Sequence, residues 1–186
     1  MGELHRIQAA GMYHVSMHAV WGSLLFCDGD DYVRRAKQLE KAVDNGQMEC
    51  NAFCLMGNHE HWLITVGEGV LADMMQVLNR AFARYFNRRH GRKGRVYSGP
   101  YFSVPIESER HLLEAARYLA LNPEEVGFTT AENWPWSSYG GLIGTRRAFR
   151  FVDPSPILNA FGGGERAVER FREFVNDGRV RGGLVA

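Results

Sequence analysis

The sequence predicts an α+β fold built on an antiparallel sheet, and three features support this. Strand-like runs occur four times, over about 13–20, 48–56, 59–66 and 101–106. Apolar residues at helical spacing separate the first run from the second and the third from the fourth. Only Gly57-Asn58 stands between the second and third runs, enough for a tight hairpin turn and nothing longer.

Taken in order, Tyr13-His-Val-Ser-Met-His-Ala-Val20 alternates loosely and reads as the first strand. Asp28-Gly-Asp-Asp31 then offers turn residues and an N-cap for a helix over about 31–45. Its apolar positions are Val33, Ala36, Leu39 and Val43, and Asn45-Gly46 supplies the stop. After the 48–56 and 59–66 strands, Gly67 and Gly69 break the chain before a long helix over about 70–90. Leu71, Met74, Met75, Leu78, Phe82, Tyr85 and Phe86 form its apolar side.

A glycine-punctuated basic loop, His90-Gly-Arg-Lys-Gly-Arg95, leads to the fourth strand, where Pro105 argues for an edge position. Ser108 caps a further helix over about 109–121. Asn122-Pro123 is expected to stop it, because the residue before proline avoids the helical region. The order β-α-β-β-α-β-α is the ferredoxin-like split arrangement plus one helix, predicting an antiparallel sheet with helices on one face. Beyond Gly127 the chain turns irregular (Trp134-Pro-Trp-Ser-Ser-Tyr139), and a short helix is expected near 165–176. Residues 1–128 are therefore read as the domain, and 129–186 as a C-terminal extension packed on it.

Composition sets the class. A chain of 186 residues, 45% apolar and 23% charged, can bury one core without staples. Its longest apolar runs span only five residues, against about 20 for a membrane helix. The start, Met-Gly-Glu-Leu-His-Arg, has no apolar core of a signal peptide, and Arg6 stands where a myristoylation motif needs Ser or Thr. Cys27, Cys50 and Cys54 are an odd set without CxxC. The expectation is a soluble cytoplasmic protein with reduced thiols.

Net charge is +1, but no acidic residue lies between Asp73 and Glu107. That stretch carries Arg80, Arg84, Arg88, Arg89, Arg92, Lys93 and Arg95, interleaved with Phe82, Tyr85, Phe86, Tyr97, Tyr101 and Phe102. Cations unbroken by carboxylates point to a polyanion, and the aromatics to stacking on unpaired bases. A solvated helix face with its carboxylates elsewhere is the plainer alternative.

Two pairs of residues could carry chemistry. His59 and His61 flank Glu60 on a predicted strand, so both imidazoles share a face and Glu60 turns away. Two adjacent imidazoles begin a divalent-metal site, which needs further oxygen or nitrogen donors. His5, His14, His18, His90 and His111 show no ligand spacing. On the last main helix, Tyr118 and Asn122 are four apart and share a face. The amide could join a metal, and the phenol could act as a nucleophile; a half-buried tyrosine before a helix stop is the alternative.

Leu55-Met-Gly-Asn-His-Glu-His-Trp-Leu-Ile64 resembles the hallmark "MPNHxHLLI" segment of the REP-associated tyrosine transposases, within the HUH-endonuclease superfamily. Gly11-Met-Tyr-His-Val-Ser16, Arg84-Tyr-Phe-Asn-Arg-Arg-His-Gly-Arg-Lys-Gly94, and Arg117-Tyr-Leu-Ala-Leu-Asn-Pro123 with Trp134–Tyr139 agree in order and spacing. The resemblance spans about residues 6–144. It implies His59, His61 and Asn122 as ligands of Mg²⁺ or Mn²⁺, and Tyr118 as nucleophile. It also implies single-strand cleavage and strand transfer at hairpin-associated DNA through a 5′-phosphotyrosine.

The sequence departs from the family at Glu60 (usually hydrophobic), Gly57 (commonly proline), Pro100 and Phe102 (usually Arg and Lys), and Met17-His-Ala-Val20 (a more polar stretch). No GxxxxGK[ST] is present, so no nucleotide cofactor is expected. A non-catalytic nucleic-acid-binding relative and a metal-dependent phosphohydrolase stay open as alternatives. Monomer and homodimer are both compatible with the sequence.

Overall fold

The computed structural model describes residues 9–127 and 129–182. His5 and the chain start, on which the absence of a leader was read, lie outside the described residues. The sheet has four strands: β1 (Gly11–His18), β2 (Glu49–Leu55), β3 (His59–Val66) and β4 (Phe102–Pro105). They stand in the order β2-β3-β1-β4, and every adjacent pair is antiparallel. β4 is the edge strand that Pro105 anticipated.

Helix α1 (Gly29–Asp44) starts at the Asp28 cap, whose side chain accepts from the Asp30 N–H. It ends at Asn45, where Gly46 takes φ 67° and the Gln47 N–H returns to the Ala42 carbonyl at 3.0 Å. α1 and α2 (Val70–Arg89) lie on one face of the sheet. There Val15, Met17, Trp62 and Ile64 pack with Leu39, Met75, Phe82 and Phe86. α1 is turned from the expected orientation. Val33 is exposed, while Asp31, Arg35 and Gln38 are buried with Ala36 and Leu39. The reason is that Arg35 has a partner inside, described below.

The third helix corrects the placement of helices on one face. α3 (Glu109–Glu125) packs on the opposite face, where Leu112, Ala116, Leu119 and Ala120 meet Ala52, Cys54 and Leu63. The split unit uses α1 and α2 as its crossovers, and α3, arriving after the last strand, covers the face they leave open. α3 also runs through Pro123 to Glu125 instead of stopping at Asn122. Proline removes one ladder hydrogen bond. Tertiary bonds hold the last turn, because Glu124 accepts from the Ala131 N–H at 2.7 Å and pairs with Arg179 at 2.7 Å.

Residues after 129 cover the β2 edge and back α3. The Leu55 N–H donates to the Trp136 carbonyl at 2.9 Å, and the Ser138 N–H to the Phe53 carbonyl at 3.0 Å. Two short helices, α4 (Tyr139–Leu142) and α5 (Ser155–Asn159), lie in the stretch expected to be irregular. The final helix, α6 (Ala167–Gly182), is longer than predicted, and its Phe171 and Val175 join the α3 core. All three cysteines are free thiols. Among the described residues, no helix is long and apolar enough to cross a membrane.

Candidate metal and nucleophile site

On β3, alternation places His59, His61 and Leu63 towards α3, with Glu60 and Trp62 towards α1 and α2. The register pairs His18 with His59 and Ser16 with His61, so the even-numbered residues of β1 share the histidine face. His14 and His18 therefore join the pair. The His14 and His61 rings are 5.2 Å apart, and His18 stacks on His59 at 5.3 Å. The separation of four between His14 and His18 gives no metal-ligand spacing in sequence, but four is an even number, which on a strand means one face.

α3 brings Tyr118 and Asn122 to the same place. His59 Nε2 lies 2.9 Å from Asn122 Oδ1, and His61 Nε2 lies 3.5 Å from the Tyr118 hydroxyl. The opposite ring nitrogens are both engaged: His59 Nδ1 with Asn58 Oδ1 at 2.8 Å, and His61 Nδ1 with His14 Nε2 at 3.1 Å. Each Nδ1 contact orients its ring and turns Nε2 towards the centre.

Burial first, then the neighbouring His14, His59 and His18, lowers the His61 pKa to about 3. Burial also lowers those of His59 and His14. The rings are thus neutral near pH 7 and hold lone pairs for a cation. A neutral His59 has one N–H but faces two amide oxygens in these orientations, so a cation between Nε2 and Oδ1 satisfies the contact left without a proton. Two imidazoles and an amide oxygen with open positions suit a divalent ion with oxygen-rich remaining ligands. Burial, then Glu125, raises the Tyr118 pKa, so its phenol is protonated near neutrality. Its side chain is 39% exposed and reachable by a large substrate.

A second cluster, Cys27, Asp31 and His90, has its donor atoms within 4.8 Å of one another. Arg89 Nη1 already lies 2.8 Å from Asp31 Oδ1, and His90 Nε2 and the Cys27 N–H occupy Oδ2 at 3.0 and 2.9 Å. A guanidinium stands where a metal would have to come.

The cationic stretch divides. Arg89 is bound to Asp28, Asp30 and Asp31 and ties the end of α2 to the start of α1. Arg80, Arg84, Arg88, Arg92, Lys93 and Arg95 are exposed, with no carboxylate partner among the described residues. The loop reaches the site because the Ser98 N–H donates to the His18 carbonyl at 3.0 Å and the Val20 N–H to the Val96 carbonyl at 3.0 Å. The interleaved aromatics are mostly interior. Phe82 and Phe86 are fully buried, Tyr85, Tyr97 and Tyr101 are packed against the core, and only Phe102 is exposed.

The site joins a four-stranded antiparallel split sheet carrying paired histidines to a tyrosine-bearing helix laid across it, and comparison with known proteins names the family. A model of IS200-like transposases matches residues 12–122, well over half of the chain. The protein belongs to the IS200-like transposase family. A solved REP-associated tyrosine transposase bound to a REP hairpin shares the fold, with a TM-score of 0.58 at 19% identity over 81% of this chain and 90% of that one. No curated protein matches the chain.

Proposed function

We propose that the protein is a metal-dependent single-strand DNA endonuclease and strand-transferase, acting at hairpin-associated sites through a 5′-phosphotyrosine. The convergence of His59 Nε2, His61 Nε2, Asn122 Oδ1 and the Tyr118 hydroxyl carries this reading. It is supported by family membership and by the hairpin in the similar solved structure.

His59, His61 and Asn122 would hold the divalent ion, Mg²⁺ or Mn²⁺. When bound, such an ion supplies positive charge beside a non-bridging phosphate oxygen. Tyr118 provides the nucleophile: its oxygen bonds to phosphorus, the P–O3′ bond breaks, and the phenol proton passes to solvent as the departing 3′-oxygen takes one up. The aryl phosphodiester conserves the bond energy, so a second 3′-hydroxyl can reverse the step and join strands. His14 and Asn58 hold the two imidazoles in the tautomer that presents Nε2. Arg80, Arg84, Arg88, Arg92, Lys93 and Arg95 bind backbone phosphates. Within the extension over 129–186, the described residues to 182 brace α3, and with it the nucleophile, against the sheet.

Labelled hairpin DNA with a single-stranded flank and Mn²⁺ tests the reading. Wild-type protein should form a covalent adduct on a denaturing gel. Tyr118→Phe should bind the same DNA within about twofold, since only a hydroxyl is lost, and form no adduct. An adduct that persists in Tyr118→Phe overturns the tyrosine assignment. Binding without an adduct under any divalent ion leaves a DNA-binding relative that no longer cuts.

A further inference from the structure

The geometry points to Trp21 and Phe102 as two stacking platforms for unpaired bases at the strand ends next to the histidine site; this deepens the DNA-processing reading and rests on it. Both are large apolar side chains held in solvent, Trp21 at 101% and Phe102 at 67% relative exposure. Isolated exposed hydrophobics are common on protein surfaces. These two are distinguished by where they stand and how firmly the backbone holds them.

Phe102 opens edge strand β4 and pairs in register with Ser16, which pairs in turn with His61. Directly opposed residues point to one face, so Phe102 stands in the same cross-strand row as His61, about 10 Å away at two strand spacings. Trp21 lies three residues beyond His18, whose ring stacks on His59. It sits at the corner of a turn closed by the Ser23 N–H donating to the Val20 carbonyl at 3.0 Å, with Gly22 at φ 70°. Val96 holds that turn through Val20, and Arg92 Nη2 donates to Ser23 Oγ at 3.1 Å. The backbone turn thus carries an exposed indole two residues from the anchor of a guanidinium that has no carboxylate partner among the described residues: one surface for a base, one charge for its phosphate.

The occupant is single-stranded DNA, because the exposed cations of the 80–95 stretch, Arg92 at the Trp21 turn among them, complement a phosphate chain and only unpaired bases offer a free π-face. Phe102 stands where the family resemblance leads one to expect a basic residue, and Trp21 directly follows Met17–Val20, where it leads one to expect a more polar stretch. Stacking here takes over affinity that charge supplies elsewhere in the cationic stretch.

The test uses the full chain and fluorescently labelled oligonucleotides: a single strand, a hairpin with a single-stranded flank, and a blunt duplex, each titrated over a range of salt. Trp21→Ala and Phe102→Ala should each weaken single-strand binding by at least about fivefold. The slope of affinity against salt should stay as in wild type, since no phosphate contact is lost, and blunt-duplex affinity should hardly move. Trp21→Phe and Phe102→Tyr should keep most of the affinity. Wild-type indole emission should be quenched by the single strand and less by the duplex.

Unchanged single-strand affinity in the Trp21→Ala/Phe102→Ala double variant overturns the proposal, as does a loss equal on duplex and single strand. A change in oligomeric state without a change in DNA affinity also overturns it, and makes the patch a contact between copies. The adduct assay keeps the two readings apart. Selective loss of single-strand binding without any wild-type adduct sustains stacking and ends the cleavage reading, and an adduct with unchanged binding does the reverse.

Discussion

On the α1/α2 side of β3, Glu60 meets a full set of partners. Arg35 Nη2 lies 2.8 Å from Oε1, Arg35 Nε lies 2.9 Å from Oε2, and Trp62 Nε1 donates to Oε2 at 3.1 Å. Arg35 also donates to Gln38 and Asn79 and lies over the Trp62 ring at 4.6 Å. Both charges are fully buried. One residue to either side, His59 and His61 face α3 with their Nε2 atoms turned to the Asn122 amide oxygen and the Tyr118 hydroxyl. One strand thus has a face closed by a buried ion pair and a face of histidines that the proposed function completes with a divalent ion. Glu60 closes a buried network and serves stability, whereas its two neighbours in sequence are the ones to which the proposed function gives the chemistry.

The sharpest break should come on the closed face. Arg35→Met leaves Glu60 buried without a cation and should cost about 3–5 kcal/mol, read as a lower urea midpoint. Glu60→Leu made together with Arg35→Met should restore most of that loss, because two apolar side chains can replace a buried ion pair. If the double variant is as unstable as the single one, the network is needed for packing beyond its charges.

The open face should reveal itself through pH. Folding lowers the His61 pKa to about 3, and those of His14 and His59 are lowered too. The unfolded chain, titrating near pH 6.5, therefore binds protons that the folded face refuses. Stability of the metal-free protein should be level above about pH 7 and fall between pH 6.5 and 5 by up to about 1.4 kcal/mol per pH unit for each such histidine. His61→Gln should flatten that slope, and an unchanged slope would place the titration elsewhere.

A smaller effect tests how the open face is arranged. His14→Ala removes the partner of His61 Nδ1 and should weaken Mn²⁺ binding about 10–100-fold by titration calorimetry. His14→Gln, which can still accept the N–H, should recover part of it. The urea midpoint should change little beside the Arg35→Met loss. Equal Mn²⁺ affinity in His14→Ala would mean that packing alone orients His61.

Much of the fold was legible because its signals are local. Period-2 runs, the Asp28 and Ser108 caps and the Gly57-Asn58 turn each depend on neighbours in sequence. Where the prediction failed, a distant contact had overridden a local rule. Pro123 stays helical because Arg179 and Ala131 hold Glu124. Arg35 is buried at a position a polar residue would leave exposed, because Glu60 waits across the core. Within the acid-free stretch, Arg89 finds carboxylates only across the fold, in Asp28, Asp30 and Asp31.

By itself, the sequence determined that His59 and His61 share a face and that Tyr118 and Asn122 share another, since strand and helix periods are properties of the backbone alone. It also determined the order of elements, and with it the antiparallel sheet. Only the tertiary structure decided that these two faces meet, because no local period reports which side of the sheet a helix will cover. The same packing recruited His14 and His18 through strand register and sent Glu60 to the dry side with Arg35. It left Trp21 and Phe102 in solvent while the other aromatics of the basic stretch went to the core, because burial is a competition for one interior that the whole chain settles together.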